Sequence, residues 1–484
     1  MSISSGLSNA VSGLTAASRT AELVSSNVAN ATTEGYGKRE IRLGTVSNGN
    51  SGAGVKVVGI ERVTNQAILN DRRGADATLG AFSTTAFYFD GIEQAYGTPD
   101  DPASLSAQFA RLESALVEAA GTPQSTERMQ ALLDASKSVV SRINSVADTI
   151  QNARQSADQQ IAIQVDAVNL GLQKIKELND EIQQRSYDGG DVNTLMDQRQ
   201  VQIDQISSII PLREIPRDDG RIALVSSNGS ILLDSDAAVL EFSPTLVITP
   251  DMNIGAGSLS GLTISGAAAS FGTGLEMVSG GSLSALFDVR DTLASETQSQ
   301  LDAFSRNLVE RFADPALDTT LLPGDAGLFT DGGAAFDPLN EEGLSNRLSL
   351  NALVDPAQGG EIWRFRDGLG AVTQGPSGQN ALLLGLSDRL NEAQTPASGN
   401  FLRAGSSASL VSELLSEIGQ SKNAAETEQS YAAAQVSEFK EAELSNGVNT
   451  DEELQKLILI EKAYAANAKV ISTIDEMLDA ILRI

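Results

Sequence analysis

The side chains that could carry out catalysis in this 484-residue sequence are carboxylates, amines and hydroxyls, because it contains no histidine and no cysteine. Without histidine, a Ser-His-Asp or Cys-His nucleophilic site cannot form. Without cysteine, disulfides, iron–sulfur clusters and thiolate zinc sites are excluded as well. A pair of Asp or Glu residues could still act as general acid and base, but no spacing singles out such a pair. We therefore predict no catalytic residue, no cofactor and no metal.

Three further features could be taken for ligand sites. Residues 54–59 begin and end with glycine, but they contain no G-x-G-x-x-G or Walker pattern. Asp325 and Asp331, with the glycines near them, lack the spacing of an EF-hand loop, and turn formation explains them better. The single tryptophan, Trp363, is interpreted as a core residue of a small subdomain rather than a ligand platform.

The charge balance excludes other classes of function. A formal net charge of −29 argues against nucleic-acid binding, which needs clustered Lys and Arg. It also favours solubility, so that self-assembly requires surfaces where charge is sparse. Residues 1–35 form such a surface, since only Arg19, Glu22 and Glu34 are charged. No apolar run reaches the ~20 residues of a membrane span, and the start lacks the features of a secretory signal. We predict no membrane insertion.

Residues 124–210 contain no proline and have the clearest periodicity. Apolar residues recur every seven positions, which predicts a long helix with a coiled-coil-like seam. Its main row consists of Val140, Ala147, Arg154, Ile161, Val168, Ile175 and Ile182, and its companion row of Ile143, Ile150, Val165, Leu172 and Leu178. We expect Arg154 to face outward or to pair with an acid, because an unpaired buried arginine is costly. The sequence Asp188-Gly189-Gly190-Asp191 predicts the helix end, and a new helix starts near Asn193.

The period then changes to that of strands. Residues 222–225 and 231–233 flank an Asn-Gly turn and predict a hairpin, and 246–248 and 262–264 suggest further strands. We predict a mainly α fold with β-rich inserts, in which the terminal helices pair as a coiled coil beside a long helical bundle and outer β subdomains. The predicted domains are a terminal coiled-coil module (1–40 and 445–484), a helical body (41–210, 281–312 and 401–444), a β-rich insert (211–280) and a Gly/Pro/Asp-rich mixed insert (313–400).

Both ends of the chain carry apolar rows at heptad spacing. One such helix would most simply be part of an ordinary core, but two at the extreme ends predict that the termini pair with each other. A narrow two-helix seam buries little area, so it should fold fully only against neighbours. We therefore predict an assembly or partner seam, which comprises Ile3, Leu7, Leu14, Val24, Val28, Leu457, Ile460, Tyr464, Ile471, Ile474, Leu478 and Ile481.

Two local patterns flank these helices. Thr450 and Glu453 fit a capping box, with the hydroxyl and the carboxylate each bonding a backbone amide of the first turn. After the first helix, Gly35 permits a turn of positive φ, and Tyr36 can pack there while its hydroxyl stays in water. This Gly-Tyr pair could be a local turn alone or could contact a partner.

Residues 26–36, SNVANATTEGY, resemble the motif A-N-N-I-A-N-x-x-T-x-G-Y of bacterial flagellar axial proteins, and Asn27, Asn30, Gly35 and Tyr36 are its motif residues here. Residues 461–478 are similar to the shared ending of the same proteins. Within that superfamily, residues 445–454 resemble the S-G-V-N-L-D-E-E-L signature of the first hook-associated proteins, with Asn446 and Thr450 as departures. Residues 195–199, LMDQR, resemble their internal L-L-D-Q-R-D segment. The resemblance covers nearly the whole chain and is weakest in 240–280 and 313–400.

This resemblance implies a structural component of the flagellum, an adapter ring that joins hook to filament. The implied partners are copies of the chain itself, the hook protein, the next hook-associated protein, and a cytoplasmic export chaperone on the C-terminal helix. It also implies export by the flagellar type III apparatus, from a transient cytoplasmic state to the extracellular hook–filament junction. One alternative is another axial component, a hook or distal rod protein, against which residues 195–199 and 448–454 weigh. A secreted hydrolase that uses a carboxylate pair is the other.

Overall fold

The chain, seen in a computed structural model that describes residues 3–48, 51–269 and 280–482, is predominantly helical. Its α-helices are α1 (Ile3–Ala29), α2 (Gln66–Tyr96), α3 (Leu105–Gly121), α4 (Thr126–Tyr187), α5 (Asn193–Ser207), α6 (Gly281–Asp288), α7 (Ala294–Phe312), α8 (Leu344–Arg347), α9 (Arg364–Asp367), α10 (Ala381–Asn391), α11 (Ser407–Asn446) and α12 (Thr450–Leu482). Its strands are β1 (Lys38–Asn48), β2 (Ser51–Val63), β3 (Leu212–Pro216), β4 (Ile222–Ser226), β5 (Ile231–Leu233), β6 (Leu240–Glu241), β7 (Leu262–Ile264), β8 (Ala267–Ala269), β9 (Phe329–Asp331) and β10 (Leu348–Leu350). The predicted mainly α fold with β-rich inserts and paired terminal helices is confirmed.

Helix α4, 62 residues long, forms where its heptad pattern predicts a helix. The side chain of Ser125 caps its start by accepting from the backbone amide of Arg128. Every apolar residue of both predicted rows is buried. The helix ends at Tyr187, and Gly189 then takes a φ of +70° that a residue with a side chain would resist. The predicted stop, and the restart at Asn193, are confirmed.

For Arg154, the polar member of the main row, the prediction that it faces outward or pairs with an acid is wrong. It is only 1 % exposed, and no carboxylate of the described residues lies within ion-pair distance of it. Its guanidinium instead donates to four backbone carbonyls, those of Arg290, Thr249, Pro250 and Met252. Burial lowers the pKa of its guanidinium below the usual range. Because every carbonyl comes from a distant segment, the heptad pattern alone could not reveal this arrangement.

The predicted hairpin after α5 is present, with β4 antiparallel to β5 and β3 on the outer side of β4. The strand at 262–264 is also present, but the strand at 246–248 is wrong. In that segment the amides of Thr245 and Ile248 donate to Asp158 and Gln155 of α4, at 2.6 and 2.9 Å. Side chains of the long helix therefore replace a neighbouring strand. Residues 270–279 of the predicted insert lie outside the described residues.

Helices α6 and α7 follow as the sequence predicts, joined by a π-helical turn at Val289–Leu293. The Gly/Pro/Asp-rich stretch after α7 carries the β9–β10 ribbon, short helices and 3-10 turns. The interpretation of Trp363 as a core residue is wrong, because it is only half-buried beside Arg364. Phe365, 1 % exposed, fills the core there instead.

The main apolar core runs through the helical body from Tyr88 in α2 to Ile418 in α11. Within the described residues, none of its members belongs to α1 or α12. The terminal helices instead pack on each other, and α1 also packs on a hairpin that the sequence did not predict, β1–β2. Its strands pair from Lys38 opposite Val63 to Ser47 opposite Gly52. We call α1, β1, β2 and α12 together the terminal unit.

Candidate assembly interface

Helices α1 and α12 lie antiparallel and meet through a narrow face. Gly6 lies against Ile474, and Gly13 lies against Asn467. A Cβ added at Gly13 would stand 2.8 Å from the Asn467 Nδ2 atom, which is too close for a side chain. Because both contacts repeat at seven residues, the glycines form a shallow groove on α1 that receives one row of α12.

The predicted seam residues of α1 are covered to different degrees. Val24 is buried, and Ile3, Leu7, Leu14 and Val28 are half-buried. The small residues between them, Ala10 and Ala17, are buried as well. The N-terminal row is therefore only partly enclosed within a single chain.

The predicted seam residues of α12 fall into two heptad rows, and these rows have different environments. The row of Ile460 and Ile474, with Asn467 between them, faces α1, and Ile474 is only 7 % exposed. In the other row Leu457, Tyr464 and Leu478 are 39, 49 and 39 % exposed. Ile471 is half-buried between these two environments, and Ile481 is exposed near the end. One row thus makes the intramolecular contact, and the other points to solvent.

The exposed side of α12 carries more apolar residues than the predicted row. We call this surface the outer face of α12, and its large apolar residues are Leu454, Leu457, Ile458, Leu459, Tyr464, Val470, Met477, Leu478, Ile481 and Leu482. Clusters of exposed apolar side chains mark contacts with other molecules.

Asn27 fixes the opposite end of the helix pair. It is 1 % exposed, and its Nδ2 atom donates both to the Arg39 carbonyl at 2.9 Å and to Glu453 Oε2 at 3.0 Å. Its Oδ1 atom accepts from the Arg39 amide at 3.1 Å and from the Tyr36 hydroxyl at 2.9 Å. One amide side chain therefore joins α1, the turn after it, β1 and α12, and uses all of its hydrogen-bonding capacity.

Glu453 does not complete the predicted capping box, and this prediction is wrong. The cap of α12 is Asn449, whose Oδ1 atom accepts from the amides of Asp451 and Glu452 at 3.0 and 3.2 Å. Glu453 turns inward, is 1 % exposed, and bonds Asn27. Burial by itself raises the pKa of this carboxyl. Hydrogen bonds from Lys456 and Asn27, with the charges of Lys456 and Lys38, outweigh burial and lower it from 4.5.

The turn after α1 follows the motif closely. Asn30 closes the helix end, donating from Nδ2 to the Ser26 carbonyl at 2.9 Å. Gly35 takes the predicted positive φ, at +75°. The Tyr36 hydroxyl, expected to stay in water, donates to Asn27. The motif residues Asn27 and Tyr36 are thus brought together, and their hydrogen bond holds the turn against α1 within the same chain.

Other kinds of site find little support. Across residues 3–48, 51–269 and 280–482, no group of three or more Asp and Glu side chains is arranged to hold a metal ion. In the same residues, no helix has the length and apolar character to cross a membrane. Residues 54–59 form part of β2, and not a phosphate-binding loop.

Sequence reasoning missed the residues that set the geometry of the terminal unit. Gly6 and Gly13 are not among the predicted seam residues, although their seven-residue spacing matches that of Asn467 and Ile474. Glu453 was assigned to a cap because capping is a local pattern, whereas its partner Asn27 lies 426 positions away. Alternation of polar and apolar residues in 38–63 could have indicated the hairpin.

Comparisons with known proteins agree with this architecture. The family profile described as "Flagella basal body rod protein" matches residues 7–36, and that described as "Flagellar basal body rod FlgEFG protein C-terminal" matches residues 443–484. These regions are α1 with its motif turn, and α12 with the end of α11. The profile "Flagellar hook-associated protein FlgK helical domain" matches residues 89–327, which include α4.

Relatives match over the whole chain. Flagellar hook-associated protein 1 of Escherichia coli is 22 % identical, with 100 % of both chains covered. The protein of that name from Bacillus subtilis is 21 % identical over 99 % of this chain and 97 % of the relative. A solved structure, the flagellar hook junction protein FlgK from Burkholderia pseudomallei, is 20 % identical with a TM-score of 0.44, covering 55 % of this chain and 47 % of that one.

The paired terminal helices and the two rod-type matches define an axial protein of the bacterial flagellum. With the helical-domain match and the full-length relatives, the chain belongs to the flagellar hook-associated protein 1 family.

Proposed function

We propose that this chain is a structural subunit of the flagellum that forms an adapter ring joining the hook to the filament. The observation that carries the proposal is the outer face of α12, an uncovered apolar surface on a helix that lies outside the main core. The relatives that match over their full length carry the name flagellar hook-associated protein 1.

The energetics favour assembly through this face. Burying one Leu, Ile or Met side chain contributes about 1.5–3 kcal/mol. Within a single chain, the narrow groove at Gly6 and Gly13 gives α12 little of that free energy. A neighbouring subunit could supply the rest, while the net charge of −29 opposes association through other surfaces. The predicted seam residues are therefore proposed as contacts of the assembled state.

The finer parts of the proposal follow from membership of the family. The partners are further copies of the chain, the hook protein and the next hook-associated protein. Before export through the flagellar type III apparatus, a cytoplasmic chaperone covers the outer face of α12. The working location is extracellular, at the hook–filament junction. The inserts 211–280 and 313–400 face away from the axis, and the chain has no enzymatic activity.

The substitution Ile471→Asp tests the assembly role. Ile471 is half-buried at the border between the α1 contact and the outer face, so an aspartate would place an unpaired charge in the assembled seam. In cells that lack their own copy, we expect hooks without filaments and filament subunits in the medium. The melting transition of the helical body should stay unchanged, and chaperone binding should weaken.

The matched control is Ser472→Asp, which puts the same charge on an exposed neighbouring position of α12. It should leave motility intact. Normal swimming of Ile471→Asp cells would contradict the seam mechanism, and loss of the body's melting transition would mean that α12 is ordinary core.

The alternative axial roles can be separated by complementation. A junction protein should restore filament attachment in a strain that lacks its own hook-associated protein 1. A hook or rod protein should instead restore hook formation in a strain that lacks that component. Residues 195–199 and the helical-domain match at 89–327 favour the first result.

A further inference from the structure

Helix α5 carries the segment LMDQR at 195–199, for which the assembly role above provides no use. Leu195 is 7 % exposed and packs with Leu178 and Ile182 near the end of α4. This apolar contact fixes α5 to the long helix. The polar side chains of the segment are then presented to other parts of the chain from a rigid support.

Among the residues that the structure describes, Asp197 receives its hydrogen bonds from the terminal unit and the turn before β1. Its Oδ1 atom accepts from the Gly37 amide at 3.0 Å and from Arg62 Nε at 2.7 Å. Its Oδ2 atom accepts from the Arg39 guanidinium at 3.1 Å. The side chain is 14 % exposed. One carboxylate on α5 thus holds both strands of the β1–β2 hairpin and the turn before it.

The backbone of this turn also approaches α5 closely. A Cβ at Gly35 would lie 2.4 Å from Val201 Cγ2 and 3.2 Å from the Asp197 carbonyl oxygen. Gly35 also has a φ of +75°, so a larger residue would meet both backbone strain and a clash. The motif glycine is therefore needed for contact between the turn and α5.

The neighbours of Asp197 extend these contacts in two further directions. Arg62 also donates to Gln200, whose Nε2 atom donates to Glu443 near the end of α11 at 3.2 Å. On another side, Arg199 donates to Asn179 Oδ1 at 2.8 Å and to the Gly220 carbonyl at 2.9 Å, in the turn between β3 and β4. Two turns of one helix therefore contact the terminal unit, the end of α11 and the β-rich insert.

Hydrogen bonds and ion pairs join the hairpin to α5, and the bonds from Arg39 to Thr194 Oγ1 and from Asn193 to the Ile60 carbonyl add to those of Asp197. The covalent connections are short, residues 64–65 before α2 and 447–449 after α11. Opening a contact of this kind separates charges but exposes little apolar surface. Such a joint can change angle while the parts on both sides stay folded.

We infer that Asp197 is a positioning residue, which sets the orientation of the terminal unit relative to the helical body. Loss of its charge releases the β1–β2 hairpin from α5, and the unit then pivots about residues 64–65 and 447–449. The inference concerns the free chain and does not depend on the proposed function.

Distances between two spin labels on the full chain test it, since the absence of native cysteine allows labels at Lys56→Cys on β2 and Ser186→Cys on α4, both exposed. The unsubstituted background should give one narrow distance distribution at low and at high salt, because ion pairs whose side chains are only 12–17 % exposed are screened little. Asp197→Asn should give at least a twofold wider distribution. Gly35→Ala should widen it as well.

The control is Asp331→Asn, which removes an ion pair with Arg347 in the mixed insert and should leave the distances unchanged. A narrow distribution in Asp197→Asn would overturn the inference. A wide distribution accompanied by loss of the body's melting transition would also overturn it, because Asp197 would then be needed for folding rather than for orientation.

Discussion

Helices α4 and α12 carry the same kind of heptad pattern but differ in what covers it. In α4 both apolar rows are buried, mostly in the main core, while Leu178 and Ile182 are buried in a smaller cluster with Leu195. In α12 one row meets α1, while Leu457, Tyr464 and Leu478 of the other are 39–49 % exposed. The comparison teaches that periodicity identifies an apolar face, whereas the partner that covers it can belong to the same chain or to another.

The largest expected effect is on the covered rows of α4. Ile150 is fully buried, so Ile150→Asp should lower the free energy of unfolding of the helical body by about 4 kcal/mol or more. Ile163→Asp, on the same helix but at a site 58 % exposed, should change it by less than about 0.5 kcal/mol. Urea titrations measure both, and equal losses would contradict the distinction between covered and open faces.

Arg154→Met tests how the polar position of the covered row is satisfied. The variant would leave the carbonyls of Arg290, Thr249, Pro250 and Met252 without their buried donor. We expect a loss of about 3 kcal/mol in unfolding free energy, and faster amide exchange in residues 245–252. A variant as stable as the parent chain would show that water satisfies these carbonyls.

In dilute monomer, amide exchange should be much faster in the paired helices α1 and α12 than in α4, because the narrow contact between them opens more easily. Protection should rise toward Asn27, where the pair is anchored. Asn27→Ala should speed exchange in the first turns of α12 about tenfold, and Asn30→Ala, whose side chain bonds only nearby residues, should have a smaller effect. Uniformly strong protection of both helices would show that they are covered as fully as α4.

The smallest expected effect is that the stability of the Asn27–Glu453 contact depends on pH. The pKa of Glu453 is lower in the folded chain than its ordinary value. Its carboxylate therefore contributes stability above the unfolded pKa of about 4.3, and this is lost as pH falls through the lower folded value. Exchange at the start of α12, corrected for the intrinsic rate, should accelerate below about pH 4. Glu453→Gln should abolish this response, and an unchanged response would assign it to another group.

Local patterns in the sequence predicted much of the fold. The heptad rows, the Asp188–Asp191 stop and the Asn-Gly turn at 228–229 depend on residues close in sequence, and each is present. The flagellar motif was also recognisable, although its physical basis was not. Asn27 could be named as a motif residue, but its bond to Glu453 spans most of the chain.

The errors share a cause in long-range contacts. Arg154 was expected to face outward or to pair with an acid, and residues 246–248 were expected to form a strand. Instead, Arg154 and other side chains of α4 bind the backbone of residues 245–252. For α12, both rows are apolar, so composition alone could not decide which row would face α1. The division of the chain into domains stays a prediction.

The length of α4 gives the Asp197 joint a mechanical consequence. At 1.5 Å per residue, its 62 residues make a rod about 93 Å long, and α5 is attached near one end. A rotation of about 10° at that end would displace the opposite end, at Thr126, by about 16 Å. The helix thus acts as a lever arm, because a small rotation at the joint becomes a displacement of many ångströms at the far end.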